Sequence, residues 1–100
     1  MTSFSVAIHL TESGTVVAIC DLDLLGKRLK CEGHDFFVDP AFYGGRKVTA
    51  DMLVSVIQGA HVVNILGKAA IQECVSRHII KSDWVKVICG IPHVQLLLSL

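Results

Sequence analysis

Phe4, Val6, Ile8 and Leu10 alternate with Ser3, Ser5, Ala7 and His9. Side chains of an extended chain point to opposite sides in turn, so this repeat of two predicts a strand over 3–10 with one buried face. Glu12-Ser13-Gly14 follows, and Gly14 can take the positive φ that closes a short hairpin. Thr15–Cys20 reads as the returning strand. Its run Val16-Val17-Ala18-Ile19-Cys20 is apolar on both faces, which predicts a central place in a sheet. Asp21–Gly26 breaks the pattern as a turn or bulge. Alternation resumes over Lys27–Glu32, Gly33 and His34 turn the chain, and Asp35–Val38 forms a short strand that Pro40 ends.

The period then changes. Thr49 is a suitable helix N-cap, Asp51 sits in the positive first turn, and Met52, Leu53, Val56, Ile57 and Ala60 recur at helical spacing. Gly59 weakens the end of that helix, and Asn64 and Gly67 punctuate the next stretch. Ala70, Ile71, Cys74, Val75 and Ile79 predict a second helix from about Lys68 to His78. Trp84–Cys89 returns to a strand, Gly90-Ile91-Pro92 interrupts it, and Val94, Leu96 and Leu98 form a last extended piece. Strands, two helices, then strands predict an α+β fold: an antiparallel-rich sheet with two helices packed on one face. A local parallel crossover stays open.

One hundred residues fit one domain, 1–100, with one core and no disulfide staples. Apolar residues make up 52% of the chain, which argues against disorder and leaves apolar surface for a partner. The net charge is zero, unlike a strongly basic nucleic-acid module. Cations nevertheless cluster at Lys27, Arg28, Lys30, Arg46 and Lys47, interleaved with Glu32, Asp35 and Asp39. Cys20, Cys31, Cys74 and Cys89 lack metal-ligand spacing among themselves and are expected to be reduced, partly buried thiols. The start lacks a basic segment followed by an apolar run, and Val94–Leu100 is too short to span a bilayer. A cytoplasmic location away from membranes is therefore expected.

Phe42-Tyr43-Gly44-Gly45 combines two aromatic rings with two glycines, which suits a loop that bends tightly and presents an apolar contact surface. Leu66-Gly67-Lys68 echoes Leu25-Gly26-Lys27. If Gly67-Lys68 opens the second helix, its free amides and the lysine could hold an anion, although the full phosphate-loop pattern is missing. Of the five histidines, His93 is the best acid–base candidate, because Pro92 fixes the chain beside it and Gln95 shares its strand face. Cys31 and His34 have ligand-like spacing but need a distant third ligand, from Cys20 or Cys89, so no metal or other cofactor is assigned. Asp21 and Asp23 are two apart at a strand end, where two solvated turn carboxylates are the ordinary reading.

The runs Val17-Ala18-Ile19-Cys20-Asp21, Leu24-Leu25-Gly26-Lys27, Phe42-Tyr43-Gly44-Gly45, Asn64-Ile65-Leu66-Gly67-Lys68 and Gly90-Ile91-Pro92-His93-Val94-Gln95 together resemble the archaeal domain of unknown function 424 family. They extend over nearly the whole chain. The resemblance implies an archaeal, cytoplasmic protein and a plausible association with RNA or translation. It supplies no activity, cofactor or catalytic residue.

The leading expectation is a non-catalytic binding module with RNA or a ribonucleoprotein as partner. Phe42 and Tyr43 would stack on bases, Gly44 and Gly45 would allow close approach, and Lys27, Arg28, Arg46 and Lys47 would meet phosphates. The alternative is a small-ligand protein or enzyme, which requires Asp21, Asn64, His93 and Gln95 to converge in one site. A third reading is a homodimer through the apolar segment Leu96–Leu98 and Leu100. The wider candidate surface joins three bends: Phe42–Gly45, Gly67-Lys68 and Pro92-His93.

Overall fold

A computed structural model describes residues 3–98. β1 (Ser3–Thr11) and β2 (Gly14–Asp21) form the expected hairpin, pairing antiparallel from Phe4 opposite Asp21 to Thr11 opposite Gly14. β3 (Arg28–Cys31) and β4 (His34–Phe37) make a second, separate hairpin. His34 therefore starts β4 rather than sitting in the turn.

Four further strands complete the main sheet: β5 (Arg46–Thr49), β6 (Val62–Leu66), β7 (Lys86–Ile88) and β8 (Ile91–Leu97). Its order is β5-β1-β2-β6-β8-β7, with β2 and β6 parallel and every other neighbouring pair antiparallel. β2 is central, as its apolar run requires. β5 and β6 fall in stretches where the sequence predicted no strand. Thr49 ends β5 and makes no side-chain cap for the 3₁₀ turn that follows it.

Three short α-helices pack on this sheet: α1 (Pro40–Tyr43), α2 (Leu53–Ile57) and α3 (Lys68–Ser76). α2 stops before Ala60, with Gly59 in the turn beyond it at φ 82°. α1 occupies what was expected to be loop. Pro40 does not merely end the preceding strand; it opens the helix at a position that needs no amide proton, while the Asp39 carboxylate accepts from Ala41 N at 2.9 Å.

Alternation along the strands sorts side chains into two buried clusters. Phe4, Val6, Val17, Ile19, Val63, Ile65, Val94 and Leu96 face α2 and α3 and form the larger cluster with Leu53, Ile57, Ala70, Ile71 and Cys74. Ala7, Ala18, Cys20 and Leu66 face the other way and meet Leu24, Val38 and Tyr43, with Leu29, Phe36, Phe42 and Ile91 packed against them. The protein is thus α+β, with α2 and α3 covering one sheet face. α1 and the β3–β4 hairpin cover part of the other.

A disulfide joins Cys31 at the end of β3 to Cys89 in the β7–β8 turn, with Cα atoms 5.3 Å apart. This corrects the expectation of four reduced thiols and no staple. Cys89 and Gly90 turn the chain with φ of 50° and 81°, the doubly left-handed turn that suits a two-residue hairpin. Cys20 and Cys74 are free and buried. No helix among the described residues is long and apolar enough to cross a membrane.

Candidate functional site

Asn64, His93 and Gln95 share one sheet face. Asn64 lies opposite Ala18 on one side and Gln95 on the other, and His93 lies opposite Leu66. Side chains directly opposed across a ladder point the same way. All three therefore project to the side that α1 and the hairpin only partly cover. Val16 and Val62 are half-buried on that face, and Leu97, opposite Val62, is 72% exposed. Asn64 is half-buried and Gln95 exposed. Neither makes a side-chain hydrogen bond among the described residues, so two amide groups stand side by side with donors and acceptors open.

Phe42 borders this surface. Its ring stacks on that of His9, centroids 5.2 Å apart and planes 5° from parallel, and His9 Nε2 lies 2.8 Å from the Phe42 carbonyl oxygen, which accepts its proton. Tyr43 packs edge-on to Phe42 but is only 4% exposed, and burial pushes its phenol up to about 12. It is a core residue and has no face to offer a base, which corrects its expected stacking role. The buried Ser5 hydroxyl donates to the Tyr43 carbonyl at 2.7 Å and ties α1 to β1. The two glycines have steric reasons. A Cβ on Gly44 would strike the Pro40 carbonyl, and one on Gly45 would strike the Val6 carbonyl as the chain crosses β1 into β5.

Asp21 is elsewhere. It lies opposite Phe4 and therefore on the α2–α3 side of the sheet. Its two carboxylate oxygens accept from Ala69 N at 3.0 Å and Ala70 N at 2.8 Å, capping the N-terminus of α3 from a strand distant in sequence. Burial, reinforced by Asp23, nonetheless pushes its carboxyl above the ordinary carboxylate value against the pull of the two amides. The protein's own carboxylate fills the anion position once expected at Gly67-Lys68. Gly67, at φ 121°, leaves room for it, since a Cβ there would lie 2.6–2.7 Å from both carboxylate oxygens. Asp21 thus does not converge with Asn64, His93 and Gln95, and the four-residue site required by the enzyme reading does not form.

The bends meet in part. Gly67 N donates to the Pro92 carbonyl at 2.9 Å, so the Gly67 and Pro92-His93 bends touch. Tyr43, Leu66 and Ile91 belong to one apolar assembly, which brings α1 to the same sheet face. Lys68 is exposed at the start of α3, on the other side. Lys27 is exposed where the second hairpin begins, while Arg28 pairs with Asp35 at 2.9 Å and lies over the Phe37 ring. Arg46 and Lys47 are exposed on β5 but point to opposite faces, being opposite Val6 and Ser5 respectively. The expected basic patch is therefore divided. Sequence reasoning passed over Lys86, which is exposed opposite His93 on the same face. Burial holds the His93 imidazole below its ordinary value.

Cys31 is committed to the disulfide, which removes it from the proposed pairing with His34 as a thiolate ligand. Among the described residues no three His, Cys, Asp or Glu side chains are grouped as a metal site would require. Burial also pushes the Cys20 thiol up to about 12, so it is no thiolate nucleophile near neutral pH. Leu96 packs into the larger core cluster, Leu98 is 40% exposed, and Leu100 lies outside the described residues.

The family model described as protein of unknown function (DUF424) matches residues 8–98. The chain belongs to the DUF424 family. An uncharacterized conserved protein from Methanopyrus kandleri has a similar crystal structure, with a TM-score of 0.83 and 28% sequence identity over 97% of this chain and 92% of that one. No curated protein matches the chain.

Proposed function

We propose that this DUF424 protein is a non-catalytic binding module that takes single-stranded RNA on the open part of the sheet face bearing Asn64 and Gln95. The carrying observation is the pair of unpartnered amides, adjacent in register and set among Val16, Val62 and Leu97. Amide side chains read the hydrogen-bonding edges of bases, and a flat apolar strand surface beside a His–Phe stack accepts their faces. Lys47 and Lys86 project from the same face near its two margins, where they would meet phosphates. The neutral total charge agrees with such a small electrostatic share. Two phosphate contacts give a slope of log affinity against log salt of about −1.4.

Fluorescence anisotropy with single-stranded RNA of mixed sequence, across a salt series, tests the reading. Binding at low salt with that shallow slope is expected, and Asn64→Ala with Gln95→Ala is expected to weaken it roughly tenfold. Absence of binding at low salt, or equal affinity in the double variant, would refute it.

A further inference from the structure

The outer edge of β1 is open from Ile8 onward. β5 pairs with Ser3–Val6, whereas β1 continues to Thr11. Thr15, opposite Leu10, spends both main-chain groups on His61: its N–H donates to the ring Nδ1 at 3.0 Å, and its carbonyl accepts from His61 N at 2.9 Å. Thr15 thus turns these groups away from Leu10. In an antiparallel pair Leu10 must then turn its own away as well, toward the outer edge, and so must Ile8 two residues back. The N–H and C=O groups of Ile8 and Leu10 have no partner among the described residues. A bare edge accepts a further strand, and β1 carries no Asp, Glu, Lys or Arg to deter one. The side chains agree: Ile8 is 51% and Leu10 84% exposed, both on the α2–α3 side of the sheet. A groove of about 470 Å³ runs from Ile8 and His9 to Gly45 and Arg46. It closes there, because Gly45 lies against Val6 and Ala7. Arg46 is exposed at this closed end and Glu12 is exposed in the turn at the other, and neither joins an ion pair among the described residues.

We propose that this edge takes the C-terminal strand of a partner polypeptide, a segment that ends in two apolar residues separated by any one residue and carries a free carboxylate. An added strand antiparallel to β1 continues the line of β5 and brings its carboxyl end to Arg46. Gly45 closes the edge at Ala7, so the last residue of the guest lies opposite Ile8, the next-to-last opposite His9 and the third from the end opposite Leu10. The last residue donates its N–H to the Ile8 carbonyl, and its carboxylate accepts from Ile8 N. That carboxylate lies at the level of Ala7, next to the place of Arg46. Arg46, opposite Val6, projects to the same face as Ile8 and Leu10, where a guanidinium can pair with it. The last and third-from-last guest side chains fall on this face too and shelter Ile8 and Leu10 from water. A parallel guest would set its amino end against Arg46, like charge on like. An internal segment would run on into Gly45, so a chain end fits where a continuous strand does not.

Fluorescence anisotropy with a labelled hexapeptide bearing leucine at its last and third-from-last positions tests this. Saturable binding is expected. Amidation of the peptide carboxyl group should weaken it about tenfold, and so should Arg46→Glu. N-methylation of the third-from-last residue removes the N–H aimed at the Leu10 carbonyl and should abolish binding. The same change at the next-to-last residue, whose N–H faces away from β1, should leave binding intact. The peptide comparisons use the unaltered protein, so a folding defect cannot imitate them. No binding, equal binding of acid and amide, or equal loss from both methylations would each overturn the proposal. A protein that ignores the peptide but self-associates in sedimentation equilibrium would overturn it in favour of a second copy at this edge.

Discussion

Asp21 and Gly67 show how one contact can decide two residue identities. Asp21 supplies the acceptor for two amides that the first turn of α3 cannot satisfy by itself. Gly67 holds a left-handed φ and leaves the space that the carboxylate fills. Asp21→Ala should therefore cost about 1–2 kcal/mol, the usual loss for a helix cap, with the orphaned amides setting the upper end. Gly67→Ala should cost about 1–3 kcal/mol through backbone strain and should also displace the carboxylate. Because both changes break the same cap, the double variant should lose less than the sum of the two single losses. Urea denaturation of the three variants measures this directly, and simple additivity would show that glycine and carboxylate act independently.

The β3–β4 hairpin is an element that cannot stand alone. It has two four-residue strands whose only described buried or half-buried side chains are Leu29 and Phe36, and isolated two-stranded hairpins are marginal in water. The Cys31–Cys89 bond fixes its end to the β7–β8 turn across 58 residues of sequence. Closing a loop of that length in the unfolded chain corresponds to about 4 kcal/mol in the chain-entropy treatment. Unfolding free energies from denaturant titrations should fall by that order on adding reductant and for Cys31→Ser alike, with the midpoints falling in step. An unchanged midpoint would show that the bridge contributes nothing to stability. Bonds of this kind are invisible in the sequence, where four widely spaced cysteines favour no pairing. β1 was legible in its alternation, although only Phe4 and Val6 of its apolar face are buried while Ile8 and Leu10 are exposed, and β2 was legible in an unbroken apolar run that marks a central strand. β6 was not, because Val62-Val63-Asn64-Ile65-Leu66 is an interior strand with little alternation to detect. β5 is four residues long and starts with two charges. α1 was hidden by reading Pro40 only as a terminator. Of the candidate surface, Asn64, His93 and Gln95 did come to one face. The departure of Asp21 depended on its partner 48 residues away, a contact no local pattern encodes.

The whole molecule is a sheet with unequal coverings. The α2–α3 side holds the larger buried cluster and continuous aliphatic packing from Phe4 to Leu96. The α1–hairpin side holds a smaller cluster and leaves Asn64, Gln95 and Leu97 uncovered beside it. Regions with few buried contacts open at lower free energy than the core strands, and they do so as units. Hydrogen exchange should therefore find two levels of protection: highest at β2 and β6, whose strands are paired on both sides and packed into the α2–α3 core, and lowest at β3 and β4. Reduction of Cys31–Cys89 removes the covalent tie between the hairpin and the β7–β8 turn. It should lower protection in β3 and β4 more than in β6, because β6 retains both neighbours and the helix-side core. An equal fall in all strands would mean that the sheet and both coverings unfold as one unit. A selective fall would show that the layer beside the Asn64–Gln95 surface can loosen while the α2–α3 core stays folded.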